Sequence, residues 1–132
     1  MPCRRVIPVA CAVIEDGSGR VFVAQRPAHK HLGLKWEFPG GKIEPGESPA
    51  TALQREIDEE LACAIEIRAP LPAFEHDYGD LTIAMHPFVC RLAPGAVPAA
   101  REHVNSAWLA EDRLRTMDLA PADWPVVNSY FG

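Results

Sequence analysis

Five acids stand in a fixed order across residues 47–60: Glu47, then Glu56, Asp58, Glu59 and Glu60, with Arg55 directly before the last group. A helix turns by about 100° per residue, so Glu56, Glu59 and Glu60 fall on one face. Leu53, Ile57 and Leu61, with Ala50 beside them, fall on a neighbouring face. One side of such a helix can pack on a core while the other presents three carboxylates. Like charges at this spacing cost stability, and a bound cation would neutralise them. Carboxylate oxygens without Cys or His suit a hard ion such as Mg²⁺ or Mn²⁺.

These residues resemble the Nudix box, G-x5-E-x7-R-E-U-x-E-E-x-G-U, where U is a bulky apolar residue. Gly41 opens the pattern and Glu47 follows at the required distance. Arg55, Glu56, Ile57, Glu59 and Glu60 fill the next places, and Cys63 closes it. One place departs, because Ala62 stands where the pattern has glycine. A glycine there ends the helix in a left-handed conformation, so Ala62 bears on the helix end and not on the metal site. Three other readings compete. An acid-rich helix face also occurs as plain solvated surface, but that leaves the preceding Trp36-Glu37-Phe38-Pro39-Gly40-Gly41 without a purpose. A calcium loop of the EF-hand type needs alternating oxygen ligands around a central glycine, and the acids here have helical spacing. A Nudix fold that binds without turnover is disfavoured, since no acid of the box is missing.

The elements that must position these groups can be read along the chain. At 132 residues one domain spanning residues 1–132 is expected, long enough to bury a core. Hydrophobic residues make up 48 % and charged residues 23 %, ordinary globular usage. The net charge of −5 argues against a general nucleic-acid surface, which requires basic patches. An acidic protein that handles a triphosphate needs local Lys, Arg and metal to offset its own field. Cys3, Cys11, Cys63 and Cys90 are widely spread with no C-x-x-C pair, so buried thiols in a reducing compartment are expected and a zinc site is not. The start, MPCRRVIPVACAVI, has basic residues before an apolar run, but Pro8 interrupts the run and Glu15-Asp16 end it; a first strand is the better reading than a leader. No apolar stretch is long enough to span a bilayer.

The pattern predicts an α/β alternation without internal repeats. Val6–Ile14 and Val21–Gln25 read as strands joined by Asp16-Gly17-Ser18-Gly19, together a hairpin. Residues 27–35 and 40–46 read as loops, and Ser48 as the N-cap of the acidic helix. Residues 64–74 and 81–91 are strand candidates around the turn Asp77-Tyr78-Gly79-Asp80. A proline- and alanine-rich loop over 94–100 leads to a short strand over 104–109. Short helices follow over 110–117 and 122–130, the latter with Trp124 and Phe131 as packing groups.

The resemblance implies more than the residues show alone. It covers nearly the whole chain and implies the Nudix fold: a mixed β-sheet sandwiched between helices, an α/β/α sandwich carrying the box as loop–helix–loop. Gln25-Arg26-Pro27, the W-E-F-P-G-G-K segment and Leu119-Ala120-Pro121-Ala122-Asp123-Trp124-Pro125 resemble the MutT branch, whose members cleave nucleoside triphosphates to monophosphate and pyrophosphate. By that resemblance Glu56, Glu59 and Glu60, joined by the Gly40 carbonyl, would ligate the metal. Glu102 matches the remote acid of the branch, as a ligand or general base, with a plain surface acid beside His103 as the alternative. Arg55 and Glu47 would form an ion pair that fixes the loop against the helix. Arg26 and Lys42 are candidates for phosphate contact, and Phe38 or Tyr78 could stack on a base. Asp123 occupies the base-reading place. An ionised aspartate only accepts hydrogen bonds, whereas members acting on oxidised guanine carry asparagine there; a relative acting on CTP and 5-methylated deoxynucleotides carries aspartate. A helix-capping role for Asp123 is the alternative. The expected enzyme is a Mg²⁺- or Mn²⁺-dependent pyrophosphohydrolase of the 8-oxo-dGTP diphosphatase type. CTP or 5-methyl-dCTP hydrolysis, or non-catalytic nucleotide sensing, are the other readings. Its partners are a nucleoside triphosphate and no stable nucleic acid or membrane, as a cytoplasmic monomer or homodimer.

Overall fold

A computed structural model describes residues 5–132; the expectation for Cys3 lies outside them. Eight strands form two sheets. In the larger, β4 (Gly40–Lys42), β1 (Val6–Ile14), β7 (Thr82–Leu92) and β5 (Ile65–Pro70) lie side by side, and β6 (Phe74–Asp77) continues the edge of β7 beyond β5. In the smaller, β2 (Arg20–Gln25) lies between β3 (Trp36–Glu37) and β8 (Asn105–Ala110). β1 and β7 run parallel and every other pair is antiparallel, so the larger sheet is mixed.

Strand β1 is buried on both faces, and its alternation serves two cores. Ala10, Ala12 and Ile14 join Phe22 and Ala24 of β2 beneath Leu53, Ile57 and Leu61 of α1 (Pro49–Leu61). Cys11 and Val13 join Val21 and Val23 on the opposite side, against Leu114 of α2 (Glu111–Leu114) and Val126 and Val127 of α3 (Trp124–Phe131). The result is the α/β/α arrangement. Small residues at Ala10, Ala12 and Ala24 let α1 sit close over the strands.

Helix α1 begins as its sequence demands. The Ser48 hydroxyl accepts from the Thr51 N–H at 3.1 Å, and Pro49 follows, where no donor is needed. It also ends where the missing glycine raised the question. Ala62 adopts φ 53°, ψ 37°, the left-handed cap conformation, and its N–H donates to the Asp58 carbonyl at 3.0 Å. The cap is kept by an alanine that pays about 1–2 kcal/mol of strain.

Three expectations need correction. β1 and β2 are not a hairpin but lie in different sheets; their side chains share both cores, and among the described residues their β-pairing is a single Glu15–Val21 bridge. The neighbours of β1 are β4 and β7, which take both its edges. The Asp16 carboxylate accepts from the N–H groups of Ser18 and Arg20 and curls the connection. Second, the strand expected over 64–74 is broken, because Pro70 and Pro72 lack the N–H groups that would continue the ladder. Third, Gly40–Lys42 is a strand on β1 and not a loop. Among the described residues Cys11, Cys63 and Cys90 are free and buried, and no helix is long and apolar enough to cross a membrane.

Candidate active site

The segment between β3 and α1 is held by close backbone approach. A Cβ on Gly40 would lie 2.0 Å from the Ala10 carbonyl oxygen, so only glycine fits against β1 there. A Cβ on Gly41 would lie 2.4 Å from the Glu56 carboxyl carbon, so the absent side chain is the space that the Glu56 carboxylate fills. Arg55 ties this segment to the helix. Its Nε and Nη2 donate to the two Glu47 oxygens at 2.8 Å each, Nη1 donates to Glu56 at 2.9 Å, and Nη2 also reaches the Lys42 carbonyl at 3.1 Å. Such a bidentate fork fixes direction as well as distance. The Arg55 guanidinium, helped by the Glu44 N–H, holds the Glu47 carboxyl down at about 2, and the paired Glu47 raises Arg55.

Glu60 faces inward. Its Oε2 is enclosed and has no hydrogen-bond partner. Burial, then the charges of Glu37 and Glu56, push its carboxyl up to about 8; Glu102 adds to this and the Gly40 backbone opposes it. Glu102 is carried there by the last turn of α1, where the Glu60 and Leu61 carbonyls accept from the N–H groups of Arg101 and Ala99 at 3.0 and 2.8 Å. These are helix-end acceptors without intrahelical partners, so one set of bonds satisfies the helix end and brings Glu102 to the cleft. Glu60, Glu102, Gly40, Gly41, Glu37 and His103 line a cavity of about 190 Å³. Glu59 is different: its side chain is 58 % exposed, with Arg55 at 3.5 Å as its ion-pair partner.

Glu37 is the residue that reading the sequence passes over. One oxygen accepts from Arg26 Nη1 at 2.9 Å and the other from His103 Nε2 at 3.0 Å. A carboxylate only accepts, so His103 donates to it from Nε2, while its Nδ1 is enclosed without a partner. The partner lies 66 positions along the chain, and no local spacing announces it. The one signal was the place of Glu37 inside the Trp36–Gly41 segment.

A second cavity of about 530 Å³ adjoins the first and shares Arg26, Lys30, Glu37, Gly40 and Gly41 with it. Lys42 is an exposed side chain on its rim, and Phe38 lines it from a buried position. Asp123 also lines it, 4 % exposed. The capping alternative for Asp123 meets a plain fact: it precedes α3 but makes no side-chain cap bond. Its Oδ2 instead accepts from the Phe38 N–H at 2.9 Å. Burial, then the Glu37 charge, push its carboxyl up to about 8, against the pull of the Phe38 N–H and Arg26. Burial thus favours the protonated form over the ionised, accept-only aspartate, and a protonated carboxyl has a donor as well as an acceptor, as an asparagine has.

Whether these acids fit a metal can be judged from the donors. Among the described residues no three His, Cys, Asp or Glu side chains already form a cluster that could hold an ion. Yet Glu60 Oε2 is an orphaned buried oxygen, and repulsion from Glu37, Glu56 and Glu102 converges on it. An all-oxygen set that is short of positive charge fits a hard divalent ion.

The NUDIX domain profile matches residues 10–129. The chain belongs to the Nudix family. It is 32 % identical over 126 residues to the CTP pyrophosphohydrolase of Escherichia coli K12, covering 96 % of this chain and 92 % of that one. It is 30 % identical to the 8-oxo-dGTP diphosphatase of the same organism, covering 92 % and 93 %. The solution structure of the E. coli ORF135 protein superposes with a TM-score of 0.81 at 31 % identity, over 98 % of this chain and 93 % of that one. This Nudix protein is a hydrolase of phosphoanhydride bonds, and hydrolases of the family generally use divalent metals.

Proposed function

We propose that this Nudix hydrolase cleaves nucleoside triphosphates to monophosphate and pyrophosphate with Mg²⁺ or Mn²⁺, removing 8-oxo-dGTP from the nucleotide pool. The observation that carries this is the adjacency of two cavities of different chemistry: an acidic cleft around Glu60 beside a larger, more apolar cavity that Asp123 also lines. A triphosphate laid across Arg26, Glu37, Gly40 and Gly41 would place its phosphates at one and its base in the other. Glu56, Glu59, Glu60 and Glu102, with the Gly40 carbonyl, would hold the metal, Glu59 turning inward from its exposed position. A divalent ion there supplies charge neutralisation on phosphate oxygens and activation of water.

The chain's own groups have separable tasks. Arg55 and Glu47 keep the box loop against α1. Arg26, already held by Glu37 and by the His31 carbonyl at 2.7 Å, presents a fixed cation to a phosphate, and Lys42 offers a movable one. Glu102 serves either as a further metal ligand or as the base that takes a proton from the attacking water. Asp123 reads the base and Phe38 backs the pocket. The whole of residues 1–132 works as one domain, in the cytoplasm, as a monomer or homodimer and without stable nucleic-acid or membrane partners. CTP or 5-methyl-dCTP is the second reading, favoured by the aspartate at position 123 and by the CTP-specific name of the relative. The deciding assay compares kcat/KM for 8-oxo-dGTP, dGTP, CTP and 5-methyl-dCTP. 8-Oxo-dGTP is expected to lead, and a lead for CTP would move the assignment to the second reading.

A further inference from the structure

Tyr78 sits in the turn between β6 and β7 and lines the larger cavity. Three contacts hold it. Its ring meets His76 edge-on at 4.5 Å and His31 at 6.1 Å between centroids. Its hydroxyl oxygen accepts from the Ala122 N–H at 3.0 Å. That N–H lies in the first turn of the 3₁₀ segment Pro121–Asp123, where it has no partner within the turn. The tyrosine therefore fastens three walls of the cavity together: the 27–35 loop, the 77–80 turn and the segment that carries Asp123.

One capacity of this residue is left over. A phenol has one hydrogen to donate as well as an oxygen that accepts. The Ala122 bond uses the oxygen, and among the described residues the hydroxyl hydrogen is given no acceptor. Ala122 directly precedes Asp123, whose Oδ2 is occupied by the Phe38 N–H while its other oxygen is left for the cavity. The ring meets both histidines at steep angles, and beyond the ring the hydroxyl keeps an unspent donor.

We propose that Tyr78 is a base-reading residue, its hydroxyl donating to a ring carbonyl of the nucleobase while Asp123 engages the neighbouring ring nitrogen. This names a substrate class: bases with a carbonyl beside a ring nitrogen, as in 8-oxoguanine, guanine and cytosine, against adenine, which has none. The inference rests on the nucleoside triphosphate reading above and adds a residue and a rule of exclusion to it.

Tyr78→Phe is the test, since it keeps the ring and its histidine contacts. Pyrophosphate release is measured for wild type and variant with 8-oxo-dGTP, CTP and dATP. Expected is a loss in kcat/KM about tenfold larger for the preferred carbonyl-bearing substrate than for dATP, carried by KM, so that discrimination against adenine narrows by that factor beyond any shared loss from the Ala122 bond. Equal loss on all three substrates would make Tyr78 only a fastener of the walls and overturn the proposal. So would unchanged discrimination. If wild type releases pyrophosphate from none of them, the nucleotide reading itself fails; if it does and Tyr78→Phe discriminates as before, this inference alone fails.

Discussion

Asp123 shows how burial changes what a residue type can say. As a bare sequence letter it differs from asparagine in being a pure acceptor. In its place, closed off from water and facing the charge of Glu37, it holds a proton to about pH 8. Below that pH the oxygen not bound to the Phe38 N–H can donate to a base as a hydroxyl; above it, that oxygen can only accept. KM for the preferred nucleotide should therefore rise as pH passes through 8, and Asp123→Asn should flatten the profile. Parallel KM profiles of the two proteins between pH 6.5 and 9 would refute the role. Glu60 obeys the same sign. Its folded-state pKa lies above its usual value of 4.5, so its contribution to stability is fully present below pH 4.5 and is lost as pH rises through about 8. The metal-free protein should melt at progressively lower temperature from pH 5 to 8.5. Glu60→Gln, which carries no charge, should lose less over that range and be inactive. A divalent ion replaces the proton, so added Mg²⁺ should raise the wild-type melting temperature at pH 8 and leave Glu60→Gln nearly unmoved.

At the scale of elements, α1 carries two devices that can be tested apart. Its C-terminal end rests on Ala62 in the left-handed region. Ala62→Gly should relieve about 1 kcal/mol of strain and raise the melting temperature by about 3–4 °C with little change in kcat; a fall in melting temperature would contradict the strain. Its side face carries the Arg55 fork. Arg55→Ala should lower kcat by about 10²-fold through lost order in the Gly40–Glu47 segment, since a misplacement of about 1 Å carries that cost. Recovery of full activity by raising Mg²⁺ alone, with the melting temperature unchanged, would show that Arg55 serves the metal and not the segment. The helix was legible in the sequence because its information is local: Ser48 at the cap, Leu53, Ile57 and Leu61 inward, acids outward. The partition of β1 and β2 into separate sheets was not, because a strand's neighbours are chosen by tertiary pairing, and β1 takes β7 from 76 positions away. The same limit hid Glu37 and His103, which meet only after folding. It also hid the proton on Asp123, which depends on walls that no local pattern describes.

Across the whole molecule, two layers of helices and a β-layer with a strand buried on both faces bring residues 26, 37, 40, 60, 102 and 123 around two adjoining cavities. The division of labour follows: one cavity for chemistry at phosphorus, the other for recognising the base. Pyrophosphate and monophosphate formation from 8-oxo-dGTP, followed with and without Mg²⁺ in wild type and Glu56→Gln, tests that account most directly. The prediction is monophosphate plus pyrophosphate only when Mg²⁺ is present, with a loss of about 10²-fold or more in kcat for a folded Glu56→Gln protein. Release of orthophosphate, turnover that survives chelation of the metal, or near-native kcat in folded Glu56→Gln would contradict it.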